Sequence, residues 1–283
     1  MVYVIMFIIG ACIGSFLCCQ ARRLRLKEEK SKKLGPRSVC LSCGHKLKWY
    51  ENIPIISWFV LKGKCKKCGR PIGTLEIFSE FSVAIAFLII TIAFTISVRD
   101  GGTGAFGAFS APNPALDFSI INGFNLLIYI ITLILVAILA FLAIYDSKWG
   151  ELPIKHLVAA IIVSVILAVI KIISVYNVSG FSTQPIIEPL VSLLILGGIY
   201  LFLYLISKGK WVGDGDWLLA SAIGLATGLP FDALLLLFIA NFSACIVMWP
   251  SVHKTKNHKI YFGPFLVFAY VIIVLCISLK VIL

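Results

Sequence analysis

The chain has 283 residues, 60% of them hydrophobic and 13% charged, with a net charge of +12. A soluble domain carries about 45–50% apolar and about 25% charged residues, so an ordinary soluble globular protein is excluded. Fifteen of the 25 Lys and Arg residues lie between Arg22 and Arg70, beside an apolar stretch. That is where topology-setting, lipid-facing charge sits, and it argues against a nucleic-acid-binding face.

Taken in order, apolar segments near the roughly 20 residues needed to cross a bilayer predict eight spans, at 2–19, 76–97, 122–145, 155–175, 186–206, 214–229, 231–249 and 261–282. The expected fold is an all-α polytopic membrane protein. It divides into a first transmembrane helix (1–19), a cytoplasmic loop domain (20–75) and a seven-helix membrane domain (76–283). No basic residue precedes the first span, while Arg22, Arg23 and Arg25 follow it. This is the reverse of a cleavable secretory signal and predicts an anchor. With the 20–75 loop inside, the inner segments hold 22 basic residues and the outer ones three, Arg99, Lys171 and Lys280. The positive-inside rule then places both termini outside. Residues 101–114 read as an outer loop whose Gly102, Gly104 and Gly107 lack the strand and helix a dinucleotide site requires. Asn177-Val-Ser is a glycosylation sequon only in a glycosylating host. No internal repeat is evident.

Nine cysteines fall into two groups. Cys12, Cys18, Cys19, Cys245 and Cys276 lie in or beside apolar spans, where a thiol packs as a small hydrophobe. Cys40-Leu-Ser-Cys43 and Cys65-Lys-Lys-Cys68, with 21 residues between the pairs, have the spacing of a four-thiolate zinc site. Two disulfides are the competing reading, and a reducing cytoplasmic loop disfavours it. Gly44 and Gly69 each follow a pair, as a knuckle turn with positive φ requires. Four thiolates close the coordination sphere, so the zinc is expected to be structural.

Thirteen carboxylates are present. Asp146 ends the third span and Asp216 opens the sixth, at the same expected membrane face. Ionisable groups at apolar depth are costly and suggest function. A helix cap suits Asp214 but not Asp146, which follows an apolar run at the unfavourable end of its helix dipole. Two neighbouring carboxylates share a proton; one can activate water while the other hydrogen-bonds a peptide carbonyl. Gly213 and Gly215 permit unusual dihedrals and close approach.

At these residues the chain resembles the type IV prepilin peptidase family, membrane aspartic proteases with a Gly-x-Gly-Asp motif. The likeness runs through GACIGSF (Gly10–Phe16), the cysteine loop with its Trp-Tyr-Glu-Asn-Ile-Pro run, Asp146 with Leu152-Pro153, Gly213-Asp-Gly-Asp216, and Tyr261-Phe-Gly-Pro-Phe265. The resemblance implies that Asp146 and Asp216 are catalytic, with Gly213, Gly215 and Pro153 as motif support. It implies removal of a basic leader from prepilins or pseudopilins at the cytoplasmic face of a bacterial membrane. Many members also N-methylate the new N-terminus with S-adenosylmethionine. Leu218 and Ile154 depart from the family pattern, at positions that often hold lysine and an acid.

Two roles are open to Glu51: contact with the methyl donor or substrate, or solvated loop charge. Glu76 and Glu80, one helical turn apart, either meet the substrate's N-terminal segment or cap a helix. Two other functions stay in view. A proton-coupled transporter would place its acids at mid-span, and a membrane scaffold would use the zinc loop for docking.

Overall fold

The computed structural model describes residues 1–29, 38–40, 42–99, 118–179, 183–209, 212–252 and 261–279. Asp100, Asp117, the 101–114 glycines and the basic run 253–260 lie outside them. Six helical stretches are long and apolar enough to cross a membrane: Val2–Glu28, Thr74–Val98, Gly123–Trp149, Ile154–Asn177, Gln184–Ser207 and Pro230–Val247. Two shorter apolar helices are Asp216–Thr227 and Gly263–Ser278. The eight correspond in order to the eight expected spans. Among the described residues no regular strand forms; only two isolated antiparallel bridges occur, Val39 with Lys46 and Lys64 with Pro71.

The elements are α1 (Val2–Glu28), a 3-10 turn (Trp49–Asn52), α2 (Ile56–Val60), α3 (Thr74–Arg99), α4 (Phe118–Trp149), α5 (Ile154–Ser179), α6 (Gln184–Leu193), a π-turn (Leu194–Gly198), α7 (Ile199–Ser207), α8 (Asp216–Thr227), α9 (Pro230–Val252) and α10 (Gly263–Ser278). Helix α1 continues well past the expected span. Its last turn carries Arg25 and Lys27, charges that suit a helix C-terminus, and Arg25 pairs with Glu29 one turn on at 2.7 Å.

The chain forms two compact units, Met1–Leu88 and Ile89–Leu283. In the first, α1 and the start of α3 meet across Gly10 and Gly14. A β-carbon at Gly10 would lie 2.8 Å from Ala84 Cα, and one at Gly14 2.7 Å from Ser79 O. Small residues four apart let apolar helices pack backbone to backbone where lipid supplies no hydrophobic drive.

In the second unit, α5 packs on both α4 and α8, and α10 also touches both. These two bridging helices bring the end of α4 and the start of α8 together. Nine of the twelve α8 residues are buried, so α8 is ringed by protein, as an all-round apolar helix should be. The far half of α3 joins this unit through Thr91, whose hydroxyl lies 2.9 Å from that of Tyr129, and through Ser97, which donates to Ser278. The π-turn between α6 and α7 presses Gly197 against Ser221 of α8, where a β-carbon would lie 3.0 Å from Ser221 Cβ and 3.1 Å from its Cα; such turns carry one extra residue within an otherwise α-helical run.

Candidate aspartate site and cysteine centre

Asp146 lies in the last turn of α4 and is 5% exposed; Asp216 is the first residue of α8 and 8% exposed. The two are close enough to interact electrostatically. Each is aimed by a backbone donor. Gly263 N–H, at the start of α10, donates to Asp146 Oδ2 at 2.9 Å, and Gly213 N–H donates to Asp216 Oδ2 at 3.0 Å. Asp146 sits at the unfavourable end of its own helix, and the N-terminus of α10 offsets that with its own partial positive charge. Asp216 gains the same from heading α8.

The loop after α4 completes the frame. Gly150, at φ +67°, turns the chain back, its N–H donating to Asp146 O at 2.8 Å, as a left-handed helix stop does. Leu152-Pro153 then leads into α5. A β-carbon at Gly215 would lie 2.7 Å from Leu152 Cβ and 3.2 Å from Leu157 Cδ1. The two aspartate-bearing loops therefore touch. Gly215 itself has ordinary helical dihedrals, φ −93° and ψ −19°, and Gly213 is not among the positive-φ glycines. Close approach, not unusual backbone, is what Gly215 contributes.

Asp214 does not cap α8. That helix has no side-chain cap, and Asp214 interacts instead with the Tyr204 hydroxyl of α7, where a β-carbon at Gly209 would lie 3.3 Å from Tyr204 Cε2 and 3.8 Å from Asp214 Oδ1. Two groups not singled out in the sequence also border the site. Tyr200, 3% exposed, is within electrostatic range of Asp216 and packs on Phe262 at 5.3 Å between ring centroids. Its hydroxyl accepts from Asn241 Nδ2 at 3.1 Å. Only the Tyr-Phe-Gly-Pro-Phe motif hinted at this corner; Tyr200 and Asn241 carry no local signal.

The first unit holds the cysteine centre. The Sγ atoms of Cys40, Cys43, Cys65 and Cys68 all lie within 4.8 Å of one another, with Cys40 and Cys68 at 3.9 Å. Zinc–thiolate bonds of about 2.3 Å in a tetrahedron place sulfurs about 3.8 Å apart, so the set fits zinc. All four are free thiols. The two knuckles repeat one another, a short repeat that the sequence did not make evident. Gly44 N–H donates to Cys40 O and Gly69 N–H to Cys65 O, each at 2.9 Å. Cys40 N–H donates to His45 O and Cys65 N–H to Arg70 O. Gly44 and Gly69 take φ of +70° and +67°, as the knuckle turns require.

The three loop and interface glutamates are engaged within this unit. Glu51 is 6% exposed; its Oε2 accepts from Lys48 N–H at 2.9 Å and lies 3.1 Å from His45 Nε2. The Lys48 N–H, with His45 adding to it, holds this carboxyl below the usual range. Glu76 pairs with Arg22. Glu80 Oε2 accepts from Ile55 N–H at 2.6 Å, where Ile55 takes φ +63°, a strained conformation for a β-branched residue.

An all-helical membrane protein with two buried aspartates within electrostatic range of one another, and a four-cysteine knuckle, is the class that fold and sites define. Comparison with known proteins narrows it. Residues 8–94 match the bacterial peptidase A24 N-terminal domain. The chain is 40% identical over 84 residues to the prepilin leader peptidase/N-methyltransferase of Myxococcus xanthus, covering 30% of this chain and 24% of that protein. It is 36% identical over 95 residues to the protein of the same name from Vibrio cholerae, covering 31% and 36%. The likeness to that of Dichelobacter nodosus is longer, 26% over 240 residues, covering 83% and 70%. The chain thus spans about a quarter and about a third of the first two relatives. No solved structure matches. These matches support the prepilin peptidase family for this chain.

Proposed function

We propose that the protein is an aspartic endopeptidase of a bacterial cytoplasmic membrane that removes basic leaders from prepilins or pseudopilins. The observation that carries this reading is the burial of Asp146 and Asp216 together, each with one oxygen tied to a backbone N–H. Two such carboxylates in a poorly solvated site share one proton. The ionised member draws a proton from water as the water attacks the scissile carbonyl. The protonated member hydrogen-bonds the carbonyl oxygen and later helps protonate the leaving amine. Because the backbone donors fix Oδ2 of each group, Oδ1 of each is left for water and substrate. The excess of inner basic residues supports a cytoplasmic-facing site with both termini outside.

The cysteine knuckle is proposed to hold a structural zinc through Cys40, Cys43, Cys65 and Cys68, in a loop too small to fold on its own core. N-methylation appears in the relatives' names and is proposed here as a second activity. Glu51 does not fit as a contact for S-adenosylmethionine: it is buried, and its Oε2 already serves His45 and Lys48. Glu76 and Glu80, tied to Arg22 and Ile55, fit a scaffolding role in this unit better than substrate contact.

The test is mass spectrometry of a prepilin incubated with purified protein and S-adenosylmethionine, which reads leader loss and methyl gain together. Asp146→Asn and Asp216→Asn are each expected to abolish cleavage while the protein still inserts. Wild-type cleavage by either variant removes that residue from the mechanism.

A further inference from the structure

Helix α2 has an outward apolar face that the rest of the described chain leaves uncovered. Ile56, Phe59 and Val60 stand at i, i+3 and i+4, so they share one side of the helix, and each is more than half exposed. The other side is turned inward. Trp58 lies against Gly63, whose β-carbon would be 2.9 Å from Trp58 Cζ2, and its indole nitrogen is buried. Two residues in the left-handed region bracket the helix, Ile55 at φ +63° and Lys62 at φ +52°. Such backbone persists where the surroundings impose it. Here the Glu80 carboxylate takes the Ile55 N–H at 2.6 Å, so α3 fixes how α2 is oriented.

That bond also sets the height of α2. Helix α3 has 26 residues and is about 39 Å long, against a hydrocarbon core of about 30 Å, so its ends reach the headgroups. Glu76, in its first turn, pairs with Arg22 near the end of α1, and a charged pair of this kind belongs at the bilayer surface. Glu80 is one turn further on, about 6 Å along the axis, and its side chain leans back toward the helix start. Helix α2 therefore begins at the level where headgroups give way to acyl chains. Phe78 and Phe81 of α3 are exposed at that same level.

Charge narrows the choice of what covers the face. Residues 52–75 contain no acid, and Lys62, Lys64, Lys66, Lys67 and Arg70 follow α2, all of them exposed. A second copy of this chain would bring the same cations, and a basic leader peptide would be repelled. Apolar side chains flanked by lysines, beside two membrane spans, match the boundary of an anionic leaflet.

We propose that α2 is an interfacial foot: Ile56, Phe59 and Val60 sit in the acyl–headgroup boundary of an anionic leaflet, and the cations of 62–70 lie on its headgroups. The cysteine knuckle, whose Cys65 and Cys68 fall within that cationic run, is thereby held against the membrane. This holds whether or not the two aspartates hydrolyse a peptide.

Full-length protein in lipid nanodiscs tests it. On irradiation, Phe59→benzoylphenylalanine should yield adducts to phospholipid. Adducts to prepilin or to a second copy in place of lipid would overturn the proposal, as would a probe that meets only water. The wild-type protein gives a second readout that needs no substitution. Its 56–62 amides should exchange about tenfold more slowly in phosphatidylglycerol discs than in phosphatidylcholine discs. Lys64→Gln/Lys67→Gln/Arg70→Gln should remove most of that difference at unchanged zinc content. Equal wild-type exchange in the two lipids would overturn the anionic surface as partner. A difference that survives intact in the triple variant would overturn the part given to the cations.

Discussion

Gly215→Ala is a one-carbon change whose effect follows from the packing. The backbone there is already helical, φ −93° and ψ −19°, so alanine brings no dihedral strain. The obstacle is Leu152: the new β-carbon would sit 2.7 Å from its Cβ and 2.9 Å from its Cδ1. Carbon atoms prefer about 3.5–4.0 Å, so the two loops must part by about 1 Å. Overpacking of this kind costs about 1–3 kcal/mol, which thermal unfolding will register. The shift falls on the residue next to Asp216, and a misplacement of about 1 Å can lower a rate about a hundredfold. Prepilin processing should therefore fall far more in kcat than in KM. Leu152→Ala removes the obstructing side chain, and Gly215→Ala/Leu152→Ala should regain most of the lost kcat. A Gly215→Ala protein with wild-type kcat, or a double variant no better than the single, would refute the claim that close approach of these loops sets the geometry.

Cys65, the buried member of its set at 6% exposure, should be the least replaceable ligand. Cys65→Ser is expected to drop bound zinc well below one equivalent by metal analysis and to raise amide exchange across 38–72. Zinc should also be released as pH falls, because protons compete for thiolate ligands; titration with a chromogenic chelator follows this. Gly14→Leu places a side chain against the Ser79 carbonyl and should destabilise the α1–α3 pairing by about 1–3 kcal/mol, seen as a lowered Tm. The companion variants Asp146→Asn and Asp216→Asn should leave Tm and zinc content unchanged.

Much of this was legible in the residues because the membrane makes each exception conspicuous. Eight apolar runs read as eight helices, since lipid and helix core both demand apolar side chains. Asp146 and Asp216 stood out because carboxylates are scarce beside such runs. The cysteine pairs were readable from spacing, and the glycines after them from knuckle geometry. What stayed hidden depends on partners far apart in the chain. Gly263 aims Asp146 from 117 residues away, and Lys171 reaches Ala226 across 55. Asp214 turned out to serve Tyr204 of α7, ten residues earlier in the chain, and not the start of α8. Glu51 looked like exposed loop charge or a ligand contact, yet the short His45–Glu51 loop encloses it. Local patterns reported composition and helix ends; register between helices had to come from packing.

The π-turn at Leu194–Gly198 acts as a phase setter for the wall of the site. One surplus residue rotates everything downstream by about 100° relative to an uninterrupted α-helix. With that surplus, Tyr200 turns inward to Phe262 and Asn241, and Phe202 and Leu205 turn outward. Excising a single residue from Leu-Ile-Leu-Gly-Gly would keep the span long enough for the bilayer but swing its final two turns around. Leu201 would then take the place of Tyr200 near Asp216, so a deletion that hydropathy would never notice would strip the polar group from one side of the aspartate site.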